Sequence, residues 1–317
     1  MTRTLRRLVL LVGLILLAAL LADLARDSAS PAAPSPAPTL TPVPASTAVP
    51  ASPAQTDAPV PPSAPTVTNT PAPDPFGTRV AFTAEDGREL VGYFYSSWMP
   101  NAPVVVLMHE FGNNQAAWKE SNIIAWMQNY GALDSSGQAY IYAGGRLPNL
   151  PKDRSFAVLT FDFRGHGESQ PPLSGDLYQN RAGFLMDARA AYALARTLPG
   201  VDPSRVIGIG ASIGADAVVD ACGEICAGAF SVSPGGWLGI HYHDAAEAVL
   251  ARGYPVRCMY AAKDDPSPST CWSVNPNDLY RIYEYPGVKH GMTFFVPRKM
   301  EAGFGENLLD FLLAASR

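Results

Sequence analysis

The sequence predicts an α/β fold, with a mostly parallel central sheet covered by helices on both faces. Three observations carry that expectation. Short β-branched and aliphatic runs recur without polar alternation, which marks strands buried on both faces. Helix-compatible stretches separate them, as the crossovers between parallel strands require. One such run, Val206-Ile-Gly-Ile-Gly210, passes directly through Ala211-Ser212-Ile213-Gly214 into a small, apolar segment suited to a helix.

The elements follow in order. Residues 79–84 and 90–96 read as two strands joined by Glu85-Asp86-Gly87-Arg88, whose Asp-Gly pair suits a hairpin turn. Residues 103–108 are a continuous Val/Leu run. After them come His109-Glu110-Phe111-Gly112-Asn113-Asn114 and a helical segment beginning near Ala116. Residues 156–161 form another buried strand, closed by Asp162-Phe-Arg-Gly-His-Gly-Glu-Ser169. An amphipathic helix is expected over 181–198, then strand 206–210 and a helix over 215–221. Strands 227–232 and 256–261 flank a helix over 244–252. A last strand over 281–285 and a closing helix over 301–314 complete the domain. Residues 128–152, rich in Gly, Ser and Tyr, fit no element. They read as an excursion that either borders the site or is plain surface loop.

The chain of 317 residues is not of one kind. Arg3, Arg6 and Arg7 precede an apolar run from Leu8 to Ala22, so residues 1–26 read as a signal peptide or an uncleaved signal anchor. Residues 27–75 are Pro, Ala, Ser and Thr with almost no charge. Such a stretch buries too little surface to offset its ordering entropy, so it is expected to be a disordered tether. Residues 76–317 have the composition of one globular domain. The expected location is extracytoplasmic, with membrane contact only through the N-terminal segment. A net charge of −5 and the lack of a basic cluster argue against nucleic acid as a partner. Four cysteines in an exported chain favour disulfides. The local pairs Cys222–Cys226 and Cys258–Cys271 are preferred, with buried free thiols as the alternative.

Gly210-x-Ser212-x-Gly214 between strand and helix is the setting of a nucleophile elbow. The tight turn strains the backbone at Ser212 and leaves no room for side chains two positions away, while lifting the hydroxyl clear of the backbone. A serine hydroxyl needs a base, and the base needs an orienting acid. Of five histidines, His290 is the best base, because Gly287-Val-Lys-His-Gly-Met292 follows the last strand as a glycine-flanked loop. The acid is expected after a strand between the two, where Asp264 and Asp265 stand side by side. Neighbouring side chains at a strand end point to opposite sides, so only one can reach His290. Asp265 is chosen, with Asp264 as a solvated or capping residue. His241-x-His243-Asp244 carries ligand-like types, but a short polar loop is the simpler reading. No metal and no cofactor are expected.

On these features, residues 76–317 resemble the α/β-hydrolase superfamily, with Asp202-Pro-Ser-Arg205 similar to its dienelactone-hydrolase-like and serine-aminopeptidase-like branches. The resemblance implies the α/β-hydrolase fold. It also implies an oxyanion hole from the amides of Phe111 and Ile213, and an architectural role for His166. Glu110 stands where the family commonly has glycine. The chain is thus expected to cleave a small-molecule ester or related acyl bond through Ser212, His290 and Asp265. Peptidase or acyltransferase chemistry at the same triad is the first alternative, and a non-catalytic binding domain on a stalk the second. Only about ten residues, 233–243, are free between strand 227–232 and the next helix. No large cap domain is therefore expected.

Overall fold

Strands β1 (Thr78–Thr83) and β2 (Glu89–Tyr95) form the expected antiparallel hairpin, with Thr83 opposite Glu89 at its closed end. The computed structural model describes residues 77–129 and 147–317. The expectations for residues 1–76, and for most of the excursion over 128–152, lie outside the described residues. After the hairpin come β3 (Ala102–Met108), β4 (Ala157–Phe161), β5 (Val201–Ala211), β6 (Cys226–Val232), β7 (Val256–Ala261) and β8 (Tyr280–Tyr285). The sheet order is β1-β2-β4-β3-β5-β6-β7-β8. Every neighbouring pair from β4 to β8 is parallel, and only β2 runs against the rest, antiparallel to both β1 and β4.

Period-2 alternation sends each central strand into two cores. Val104, Val106 and Met108 of β3 join one cluster, and Val105 and Leu107 the other. The first face is covered by α3 (Arg181–Ala195), α4 (Ile213–Asp220) and α5 (Tyr242–Leu250). The second is covered by α1 (Ala116–Glu120), α2 (Ile123–Gln128) and α7 (Phe304–Ala315). The helical segment expected near Ala116 is two short helices, because Asn122 takes a left-handed conformation (φ 64°) between them. Three features had no counterpart in the sequence reading: α6 (Ser267–Cys271) and 3₁₀ turns over Gly291–Phe295 and Pro297–Lys299. Between β6 and β7 the chain adds only a short loop and α5, so no large cap domain is inserted there.

Both preferred cysteine pairs are bonded. Cys222–Cys226 closes the turn between α4 and β6, and Cys258–Cys271 ties β7 to α6.

Candidate active site

The turn from β5 into α4 holds Ser212 at φ 53°, ψ −115°, a region a side chain enters only when its surroundings force it. The force is steric. A Cβ on Gly210 would strike the Gly214 carbonyl, and one on Gly214 would strike the Met108 carbonyl of the neighbouring strand. Side chains at those positions would push α4 off the sheet. The Ser212 amide donates to the Val232 carbonyl at 2.9 Å, which pins the turn against β6.

His290 lies at the start of the 3₁₀ turn after β8. Its Nε2 is 2.9 Å from Ser212 Oγ, and its Nδ1 is 2.7 Å from Asp264 Oδ1. The acid in contact is therefore Asp264, and the expectation for Asp265 is corrected. Only one of the two aspartates reaches the histidine, as expected, but strand alternation does not continue past Ala261. The Asp264 amide donates back to the Ala261 carbonyl at 2.9 Å, so the chain has already turned. That turn buries Asp264 beneath the histidine and leaves Asp265 exposed. The Ser267 hydroxyl donates to Asp264 Oδ2 at 3.3 Å. Hydrogen bonding to Asp264 raises His290 above its ordinary histidine value, opposed by partial burial and reinforced by the charges of Asp264 and Glu110.

Ile213 follows Ser212 as the first residue of α4, and Phe111 lies in the loop after β3, its ring against His166 and Phe184. No partner for either amide is found among the described residues. Two buried histidines hold the Phe111 loop. His109 Nε2 accepts from the Phe163 amide at 3.1 Å, while Nδ1 faces the Glu110 carbonyl at 2.7 Å. Burial pushes His109 down to about 3, so it stays neutral. His166 Nε2 accepts from the Gly112 amide at 3.0 Å. Asp162 braces the same region by accepting from the Gln115 and Glu168 amides at 2.7 and 2.8 Å. His166 is thus part of the scaffold and does not touch Ser212.

Three supports were not singled out in the sequence. Ser233 Oγ accepts from the Gly291 amide at 3.0 Å. Trp237 stands edge-on to His290, with ring centroids 6.4 Å apart. Buried Asp216 anchors the Trp237 loop by accepting from the Gly235 and Trp237 amides, at 3.2 and 2.6 Å. His241 and His243 sit apart from the triad contacts, and His243 pairs with its neighbour Asp244.

Comparison with known proteins supports the architecture. The Agrobacterium tumefaciens protein ATU1826, of unknown function, superposes with a TM-score of 0.50 over 74% of this chain and 92% of its own, at 18% identity. The Pyrococcus furiosus esterase Pf2001 does so with a TM-score of 0.50 over 76% and 91%, at 14% identity. The chain has the α/β-hydrolase fold. In sequence it is 29% identical over 155 residues to YfhR of Escherichia coli, an uncharacterized protein. That match spans 48% of this chain and 44% of the relative, less than half of either. No family model matches the chain.

Proposed function

We propose that this chain is a serine hydrolase that cleaves a carboxylic ester or related acyl bond. One observation carries the reading: an unbroken relay from Ser212 Oγ through both ring nitrogens of His290 to buried Asp264. In this reading His290 Nε2 takes the hydroxyl proton as Ser212 Oγ attacks the acyl carbon. The Phe111 and Ile213 amides hold the oxyanion, with the N-terminus of α4 adding its dipole. The alkoxide leaves with the proton from His290, and water repeats the cycle on the acyl-enzyme. Asp264 keeps the imidazole in the tautomer that leaves Nε2 free to accept, and stabilises the imidazolium once formed.

The same reading places the enzyme outside the cytoplasm. Two buried disulfides within the domain, and the apolar run from Leu8 to Ala22 behind three arginines, support it. A fluorophosphonate probe tests the chemistry. It labels the full chain at Ser212 and leaves Ser212→Ala unlabelled; equal labelling of both removes the proposal. Ester and amide panels then separate esterase from peptidase activity.

A further inference from the structure

Glu110, at the place where the fold commonly has a glycine, is not idle. Its Oε2 accepts from the Met292 amide at 2.8 Å, across 182 residues of sequence. Its Oε1 is 3.4 Å from Asn113 Nδ2, within its own loop. The carboxylate packs so closely on the histidine loop that a Cβ on Gly291 would collide with Oε2, and Gly291 itself sits at φ 49°. Only glycine meets both demands. Glu110 and Gly291 therefore fit each other as a pair, one residue beyond His290.

We propose that Glu110 is a positioning residue: it ties the loop after β3 to the loop carrying His290, and keeps a negative charge beside the imidazole. The two loops it joins carry the Phe111 amide and the general base. Their separation sets whether the oxyanion and Nε2 meet the same tetrahedral intermediate. The groups facing His290 are few. Asp264 approaches from the loop after β7, Glu110 from the loop after β3, Ser212 from the elbow and the uncharged Trp237 from the loop after β6. Lys289, the nearest cation in sequence, is paired with Glu301. Glu110 is thus the second carboxylate that favours the imidazolium. It also borders a cavity of about 350 Å³, lined in part by Asn113, Glu120, Met292 and Phe295, so a smaller side chain there leaves room for water.

The catalytic part of this inference rests on the proposed acyl chemistry, so one arm of the test needs no substrate. In the full chain, NMR titration of the His290 ring is compared between wild type and Glu110→Gln. Loss of the charge shifts the titration to lower pH, and an unchanged titration overturns the proposal. The second arm is kcat/KM against pH. Glutamine keeps an oxygen for the Met292 amide, whereas Glu110→Ala leaves that amide unpaired and frees the loop. The alanine variant is expected to lose about tenfold more kcat/KM on the plateau than the glutamine variant. Equal losses overturn the tie between the loops. If the alanine variant does not fold, the glutamine titration decides alone. Failure of the acyl chemistry would show instead as wild-type turnover no greater than that of Ser212→Ala.

Discussion

At the scale of single residues, Ser212 carries backbone strain of order 1–3 kcal/mol that the neighbouring glycines and strands hold in place. Removing its hydroxyl leaves that packing intact. Ser212→Ala and His290→Ala should fold normally and lose about 10⁴- to 10⁶-fold in kcat, as expected when the three groups act as a unit. The two aspartates should part sharply. Asp264→Asn is expected to cost about 10³- to 10⁴-fold, because the amide favours the wrong imidazole tautomer. Exposed Asp265→Asn should change kcat/KM by less than about twofold, like other surface substitutions. Comparable losses in both would contradict the relay. The pH dependence follows from His290, whose neutral form is the base. Its proton affinity is raised, chiefly by Asp264, so activity should disappear as pH falls through a value above the ordinary 6.5. In Asp264→Asn the acid limb of the residual activity should move to lower pH.

At the scale of elements, the segment between β7 and α6 carries the acid and is closed by Cys258–Cys271, 13 residues apart. A bridge of that span restricts the unfolded chain by roughly 3 kcal/mol in the loop-entropy model. The double variant Cys258→Ala/Cys271→Ala should therefore melt earlier and lose kcat as well as stability, because Asp264 is freed along with the loop. A lower melting temperature with unaltered kcat would confine the bridge to stability. Helix α4 carries a different stress. Both oxygens of Asp220 are buried with no hydrogen-bond partner among the described residues, and burial, with the nearby charge of Asp216, pushes this carboxyl up to about 8. The folded state keeps a proton that the unfolded state gives up near 3.8, so this group costs stability progressively as pH rises from there to about 8. Asp220→Asn should therefore stabilise more at pH 9 than at pH 5. Thermal melts should read the difference at roughly 2–4 °C for each kcal/mol recovered. An equal shift at both pH values would mean that the carboxyl does not titrate there.

At the scale of the whole molecule, the eight described strands and the contacts that join Ser212, His290 and Asp264 lie within residues 77–129 and 147–317. The composition of residues 27–75 predicts a segment outside the packed domain, so a chain beginning at residue 74 is expected to keep kcat/KM within about twofold of the full chain. Among the described residues no cap is inserted between β6 and β7, and an uncapped site lacks the apolar surface that would displace water from a long acyl chain. Among p-nitrophenyl esters, kcat/KM should peak at short acyl groups of about two to four carbons. A maximum at long chains, or a jump in rate above the solubility limit, would refute the uncapped reading.

What the sequence determined by itself was mostly local. The Val/Leu runs marked β3, β4 and β7 because a strand buried on both faces has no polar side to show. Gly210-x-Ser212-x-Gly214 marked the elbow because the steric demands of that turn fall within five consecutive residues. The pairing of nearby cysteines was legible for the same reason. Ser212 and His290 were legible from their order and from the elements that precede them. The tertiary structure decided what depends on where separate segments meet. Asp264 and Asp265 are the same residue type one position apart. What chose between them was a hydrogen-bonded turn at Ala261, which ends strand alternation and turns one carboxylate inward. Asn122 broke the first helical segment in two through a left-handed conformation that its neighbours do not announce. Glu110 read as a departure from the usual glycine, and its contact with the Met292 amide lies 182 residues away. In the sheet β3 and β8 are separated by β5, β6 and β7, and the contact forms because the loop after β8 brings His290 back to Ser212, and with it Met292 to Glu110. No local pattern of residue types encodes that neighbourhood.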